Sequence, residues 1–337
     1  MGASLVTVVM PVYNAAPYLR AAVESVLGQT LADFSLLVVD DGSTDESPTI
    51  LRAFSDPRLR VVTRPHRGIV SAMRTALALV DTDLVARADA DDVCRPRRLE
   101  RQVGFLTAHP EVALVGAAVR RLGRRLAGPP DAPRIRWMAL YQNPLANPTI
   151  VFRRSAALEA GGDTDDHVYL DDYPFVSRMI ERYDAANLPE VLVTMTVHAD
   201  SISKAFSAEA VAEADRVRRA NLRRLVARDD VVEPLRYLLS GGPAPAGFDA
   251  EHVGLLLGHL LGRFRERYGT GAKSGAVGRW IGRQIFERAL LHGPTAPRVL
   301  AAMMRAALRL NPALAADPRV AKALFLHLVV YRRRARR

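Results

Sequence analysis

The sequence predicts an α/β fold with a mixed, mainly parallel sheet flanked by helices, extended by an α-helical C-terminal region. Three observations predict it. Short β-rich apolar runs alternate with amphipathic stretches over the first 120 residues, at the spacing of βαβ units. From about residue 207 the pattern turns almost purely helical. Charge divides the same way: residues 1–204 carry 23 Lys+Arg against 25 Asp+Glu, a net −2, whereas residues 205–337 carry 24 against 11, a net +13. The expected organisation is therefore a first domain over residues 1–204 and a basic helical region over 205–337.

Each element follows from its residues. LVTVVMPVY (5–13) reads as a first strand, and residues 15–29 as a helix with its apolar stripe at Leu19, Val23, Val26 and Leu27. FSLLVVDDGS (34–43) is a second strand ending in acids and a turn. A helix from about Ser47 to Phe54 follows, with Ser43, Thr44 or Asp45 placed to cap it. LRVVTR (59–64) is a third strand, residues 69–80 a helix, and LVARA (84–88) a fourth strand. Residues 97–108 are again helical, and VALVGAAVRRLG is a strand leading toward a hairpin. Residues 126–133 read as a Pro/Gly loop, and NPLANPTIVFRR (143–154) as a loop feeding a strand. A helix from Ser155 to Ala160 stops at Gly161 and Gly162. In the C-terminal region the helical pattern breaks at 240–249, 292–297 and 311–318.

Composition excludes several classes. At 337 residues and 49% hydrophobic content the chain can bury a real core, so disorder is excluded. Cys94 is the single cysteine, which rules out an intrachain disulfide or a cysteine-rich metal site and suits a reducing, cytoplasmic compartment. The N-terminus lacks the basic flank and cleavage site of a signal peptide. The most apolar later runs, near residues 253 and 323, are too short to span a bilayer, so no transmembrane helix is expected. Their amphipathic character, with the +13 charge, suggests peripheral contact with an anionic membrane surface. A helical subdomain with a basic solvated face reads equally well from the same residues, and nothing points to nucleic acid.

Two acidic clusters end predicted strands: Asp40 and Asp41 after LLVV, and Asp89, Asp91 and Asp92 after LVARA. Open parallel sheets bind ligands at that edge, so both clusters could open into one crevice. Carboxylates so crowded repel one another, and a hard divalent metal that leaves positions for phosphate oxygens relieves the repulsion. Magnesium or manganese fits that ligand type.

VTVVMPVYN, LLVVDDGSTD, RADADDVCRPRRLERQ, NPTIVFRRSA and the later LDDY, in that order, resemble the successive motifs of family 2 glycosyltransferases over about residues 5–204. The resemblance implies the GT-A fold, a nucleotide-sugar donor, expected to be a UDP-sugar, and a divalent metal, manganese or magnesium. The acceptor would be a saccharide, a lipid-linked saccharide or a small molecule, as in polysaccharide or glycoconjugate synthesis. It implies that Pro11 and Tyr13 line the base and ribose pocket, that Asp41 meets the base with Asp40 beside it, and that Arg74 lies near the diphosphate. Asp89 would hold donor hydroxyls, Asp91 the metal, His198 the metal or diphosphate, and Asp172 would be the catalytic base, with Asp171 its neighbour and rival. Asp92 would support the loop. One base and in-line attack imply inversion.

Blander readings stand beside these. Asp40 and Asp41 could shape a turn, Arg74 could be a surface charge, and Arg87 could pair with nearby carboxylates. His66 and His167 read as surface residues. Asn147, Phe175 and Val176 stand where many relatives have other residues, and Asp163 replaces an aromatic, so the acceptor wall is expected to be unusual. A nicotinamide oxidoreductase is excluded because MPVYNAAP, not GxGxxG, follows the first strand. The Gly-rich first loop of a sugar nucleotidyltransferase is also missing. A DxD phosphatase leaves PVYN and DDGS unexplained, and a degenerate scaffold of the same fold leaves Asp41, Asp89, Asp91 and Asp172 without a use.

Overall fold

The valine-rich segment Val6–Val12 forms strand β1 because β-branched residues fit a ribbon covered on both faces, and every position except Pro11 is buried. The computed structural model describes residues 4–161, 172–198, 208–269, 274–292 and 296–319. After β1 come α1 (Ala16–Leu27), β2 (Phe34–Asp40), α2 (Ser47–Arg52), β3 (Leu59–Thr63), α3 (Ile69–Leu79) and β4 (Leu84–Arg87). The helix α1 buries Leu19, Val23 and Val26 along one stripe and takes Pro17 in its first turn, where no backbone donor is needed. These four strands are parallel, with β1 between β2 and β4 and with β3 outside β2.

The next elements are β5 (Val93–Cys94), α4 (Arg98–Ala108), β6 (Val112–Arg121), β7 (Arg124–Leu126) and α5 (Ala132–Met138). A single 3-10 turn at Asn147–Thr149 leads into β8 (Val151–Arg153), α6 (Arg154–Glu159), α7 (Asp172–Arg182) and β9 (Asp184–Met195). The sheet runs β3-β2-β1-β4-β8-β6-β9-β5, with β7 hairpinned onto β6. Its second half is mixed: β8 is antiparallel to β4 and to β6, β9 parallel to β6, and β5 antiparallel to β9. The sheet is mixed, as expected, with its parallel part in β3-β2-β1-β4 and its antiparallel pairings at β8, β5 and β7.

Two compact units divide the chain: residues 1–136 with 143–214, and residues 137–142 with 215–337. The first has its main core between the sheet and the helices α1 and α4, around Met10, Leu19, Val23, Phe34, Leu36, Leu99 and Leu106. The second contains most of α8 (Ala208–Val226), then α9 (Asp229–Ser240), α10 (Val253–Tyr268), α11 (Ser274–His292) and α12 (Pro297–Leu310). Its core gathers Trp137, Leu222, Leu238, Leu257, Phe264, Ile285, Phe286 and Met303. The helices α11 and α12 approach so closely that a Cβ on Gly282 would lie 2.9 Å from the Ala307 carbonyl oxygen. The break expected at 240–249 lies between α9 and a 3-10 turn at Ala250–His252, and the one at 311–318 contains a 3-10 turn at Pro312–Ala316 after α12; of the break expected at 292–297, residues 293–295 lie outside the described residues. Among the described residues no helix is long and apolar enough to cross a membrane. The apolar run near residue 323 lies outside the described residues, as do Gly162, Asp163, His167 and Asp171.

Candidate active site

Because β1, β2 and β4 are parallel neighbours, the segments that follow them leave at one edge of the sheet. That edge holds MPVYN, DDGS and DADD together. The segment after β1 is tied to the one after β2: Asn14 Oδ1 accepts the Thr44 amide at 2.8 Å, and the Asn14 amide donates to Ser43 Oγ at 3.0 Å. Asn14 adopts a positive φ of 49°, which an asparagine tolerates better than most residues. Of the three candidate caps, Asp45 serves. Its carboxylate accepts the Ser47 amide at the start of α2 and the Ala16 amide at the start of α1, both at 2.9 Å.

Asp40 and Asp41 have different surroundings. Asp40 is buried and its Oδ1 accepts the Ser43 amide at 3.0 Å, so its part here is to close the turn. Asp41 is buried too, and its carboxylate takes Arg64 Nε at 3.1 Å, the Gly68 amide at 2.8 Å and His66 Nδ1 at 2.9 Å. Tyr13 is half exposed, and its ring stacks on the His66 imidazole with centroids 3.9 Å apart. His66 is therefore no plain surface residue. Sequence reading missed it because one polar residue between Pro65 and Arg67 has no periodic signature; its only cue is its position two residues before Gly68. Pro11 lies in β1, half-buried, and Arg74 is exposed on α3.

The DAD loop is held from three sides. Asp92 Oδ1 accepts the Thr196 amide at 2.9 Å, and His198 Nε2 meets Asp91 Oδ2 at 3.0 Å, so the segment after β9 closes over the loop. Tyr18 of α1 stacks on the His198 ring at 4.4 Å. Beneath the loop lies Arg98, almost wholly buried. It donates to the Arg87 carbonyl oxygen and, at 3.1 Å, to both Cys94 Sγ and Gln102 Oε1. Gln102 in turn donates to the carbonyl oxygens of Thr149 at 2.6 Å and Val115 at 3.2 Å. Arg87 and Cys94 flank Asp89, Asp91 and Asp92, so one guanidinium grips both ends of the acidic loop.

Burial first, and then the negative charge of Asp89, push the Asp92 carboxyl up to about 8, against the pull of the Thr196 amide; Asp91 adds to the rise. The part of that rise that comes from Asp89 and Asp91 is charge crowding, which a cation would relieve. Among the described residues no group of three His, Cys, Asp or Glu side chains converges as a metal cluster. Asp91 with His198 still fits manganese or magnesium, which is commonly held by one or two carboxylates with substrate phosphates completing the shell. The chain enters α7 at Asp172; the Asp172 side chain and the rival Asp171 lie outside the described residues. Phe175 and Val176 are buried, and Phe175 packs edge-on against Phe152 at 5.0 Å. Their departure from the family pattern is thus a change inside the core, and the expectation that they alter an acceptor wall is corrected.

Residues 7–157 match the profile described as Glycosyl transferase family 2. The amylovoran biosynthesis glycosyltransferase AmsE of Erwinia amylovora is 32% identical over 201 residues, covering 55% of this chain and 73% of that protein. Among solved structures, S. aureus TarS 1-349 in complex with UDP-GlcNAc aligns over 92% of this chain and 91% of its own, with TM-score 0.54 and 15% identity. Mannosyltransferase PcManGT from Pyrobaculum calidifontis, in complex with GDP-Man and Mn2+, aligns over 91% and 87% with TM-score 0.53 and 19% identity. At such identities the two structures establish a shared fold.

Proposed function

This chain belongs to glycosyl transferase family 2 and is a glycosyltransferase; on that premise we propose that it moves a sugar from a nucleotide-diphosphate donor, a UDP-sugar, to an acceptor hydroxyl with inversion at the anomeric carbon. The observation that carries the reading is the common edge of β1, β2 and β4, which sets Tyr13 and Asp41 beside Asp89 and Asp91.

In this reading Tyr13 and Pro11 support the base and ribose, Asp41 meets the base, and Arg74 faces the diphosphate. Asp89 orients donor hydroxyls. Asp91 and His198 would hold a manganese or magnesium ion, whose bound charge stabilises the leaving diphosphate. Asp172 accepts the acceptor hydroxyl's proton as that oxygen forms its bond to the anomeric carbon. The bond from that carbon to the phosphate oxygen breaks, and its electron pair leaves with the nucleotide diphosphate. Asp40 and Asp92 act through the turns they close.

The acceptor is a saccharide, free or lipid-linked, reached from the cytoplasmic face of a membrane. Support for that part comes from the net +13 of residues 205–337, which favours an anionic surface. The test is donor turnover with Mn2+ in the parent chain and in Asp172→Asn. Loss of roughly 10²-fold or more in kcat with KM for the donor held supports the base assignment; unchanged turnover refutes it.

A further inference from the structure

We propose that the His66 imidazole occupies the position of the donor's nucleobase, so that the donor must displace this ring from Tyr13 and Asp41 in order to bind. The inference rests on the assignment of Tyr13 and Asp41 to the base pocket. A flat heterocycle bearing a ring N–H asks two things of such a pocket: an aromatic face to stack on and a carboxylate to accept the N–H. His66 already uses both. Its ring lies on Tyr13 at 3.9 Å between centroids with the planes 20° apart, and Nδ1 is 2.9 Å from Asp41 Oδ2 and 3.1 Å from the Asp41 carbonyl oxygen. Both partners are acceptors, so Nδ1 carries a hydrogen, as the ring N–H of a base would.

No second ring fits between Tyr13 and Asp41 while His66 stays. The gap between the two rings is one stacking separation, whereas an inserted base needs two. Nor does the Asp41 carboxylate keep a place for another donor. Oδ1 accepts from Arg64 Nε at 3.1 Å, Oδ2 accepts from the Gly68 amide at 2.8 Å and from His66, and the Arg67 amide reaches both oxygens at 3.1 and 3.3 Å. Two of these donors are backbone. Arg64 is itself fixed, donating to Thr75 Oγ1 at 2.8 Å and Ser71 Oγ at 2.6 Å, and its side chain is 12% exposed. His66, 51% exposed, is the one donor that can turn away into solvent. Gly42 lies close against the His66 backbone, where a Cβ would come within 2.8 Å of the His66 nitrogen, and the displacement proposed is a rotation of the side chain. A ring that leaves Tyr13 and Asp41 hands over a stacking face and a carboxylate acceptor at the same moment.

The test is calorimetric titration of the full chain with UDP, and with GDP, in the presence of Mn2+. His66→Ala is expected to bind UDP about five-fold more tightly than the parent, since the competent pocket no longer waits on a minor rotamer. Unchanged or weaker binding overturns the proposal. In the His66→Ala background, adding Tyr13→Ala should weaken UDP roughly ten-fold through lost base stacking. If it does not, the base-pocket assignment itself fails, and the His66 inference falls with it. A loss at Tyr13 without a gain at His66 sinks the inference alone. A readout that needs no variant is the His66 ring proton signal, shifted upfield by the Tyr13 face. Saturating UDP should move it downfield, and a signal that stays put overturns the proposal.

Discussion

His198 Nε2 lies 3.0 Å from Asp91 Oδ2, which makes the residues just after β9 a wall of the loop just after β4. The two are 107 positions apart in the chain. Tyr18 holds the outer face of the imidazole, so the ring is positioned by stacking as well as by its hydrogen bond.

Manganese should therefore raise the melting temperature of the parent chain, by about 2.7 kcal/mol of stability when the ion is at 100 times its Kd. Asp91→Asn should abolish that response, and His198→Ala should weaken Mn2+ about ten-fold, as loss of a supporting ligand does. Differential scanning fluorimetry across a Mn2+ titration reads both; equal shifts in all three proteins would remove Asp91 from the metal site.

Arg98 is a buried cation whose hydrogen bonds go to the Arg87 carbonyl oxygen, Cys94 Sγ and Gln102 Oε1. Arg98→Met keeps much of the volume but strands two of those acceptors, and each buried unsatisfied polar group costs about 1–3 kcal/mol. Urea unfolding should show a loss of about 3 kcal/mol at an unchanged m-value. Arg98→Lys should recover only part of it, because one ammonium cannot reproduce the fork of the guanidinium.

His292, at the end of α11, is buried with Nε2 3.3 Å from the Leu238 carbonyl oxygen and its ring edge-on to Tyr237. Burial holds its pKa below the ordinary histidine value, and the Leu238 carbonyl only partly offsets this. The unfolded chain therefore takes up a proton first as the pH falls through about 6.5. Stability from this group is present above that pH and declines below it, until the folded-state pKa is passed. Asp92, whose carboxyl pKa is raised in the folded chain, favours folding as the pH falls, so His292 is read as a difference: chemical denaturation at pH 7.5 and pH 5.5 should show the parent losing stability relative to His292→Gln at the lower pH. An identical pH slope in both proteins would assign the acid sensitivity elsewhere.

Legibility from sequence followed the length of each apolar run. The strands β1, β2, β3 and β4 were readable within a residue or two, because each is a Val/Leu-rich run closed by a turn or an acidic pair. The helices of the C-terminal region were readable for a similar reason: Gly and Pro punctuate them. Elements whose stability is set by distant partners were not. Val93–Cys94 is a strand only because Thr194 and Val193 pair with it. Residues 184–195 carry Pro189 and three irregular steps against β6, so no two-residue alternation survives to be read. At the site, the strand-end aspartates stood out as a cluster of charge. His66 did not, since its meaning lies in what it touches 53 positions away at Tyr13 and 25 positions away at Asp41. Arg98 and Gln102 are polar residues of a helix, and nothing in their spacing shows that both point inward and span the ground between the acidic loop and the Asn147–Thr149 turn.

The strand order also acts as a ruler. Asp41 follows β2 and Asp91 follows β4, with β1 between them. Neighbouring strands lie about 4.8 Å apart, so a ligand that reaches from one aspartate to the other spans roughly 10 Å across the sheet edge. A free sugar or an inorganic phosphate is too short to bridge that interval, and a base joined through ribose to two phosphates is long enough. On the proposed donor assignment, discrimination by length would thus follow from backbone spacing, before any side chain has chosen among bases.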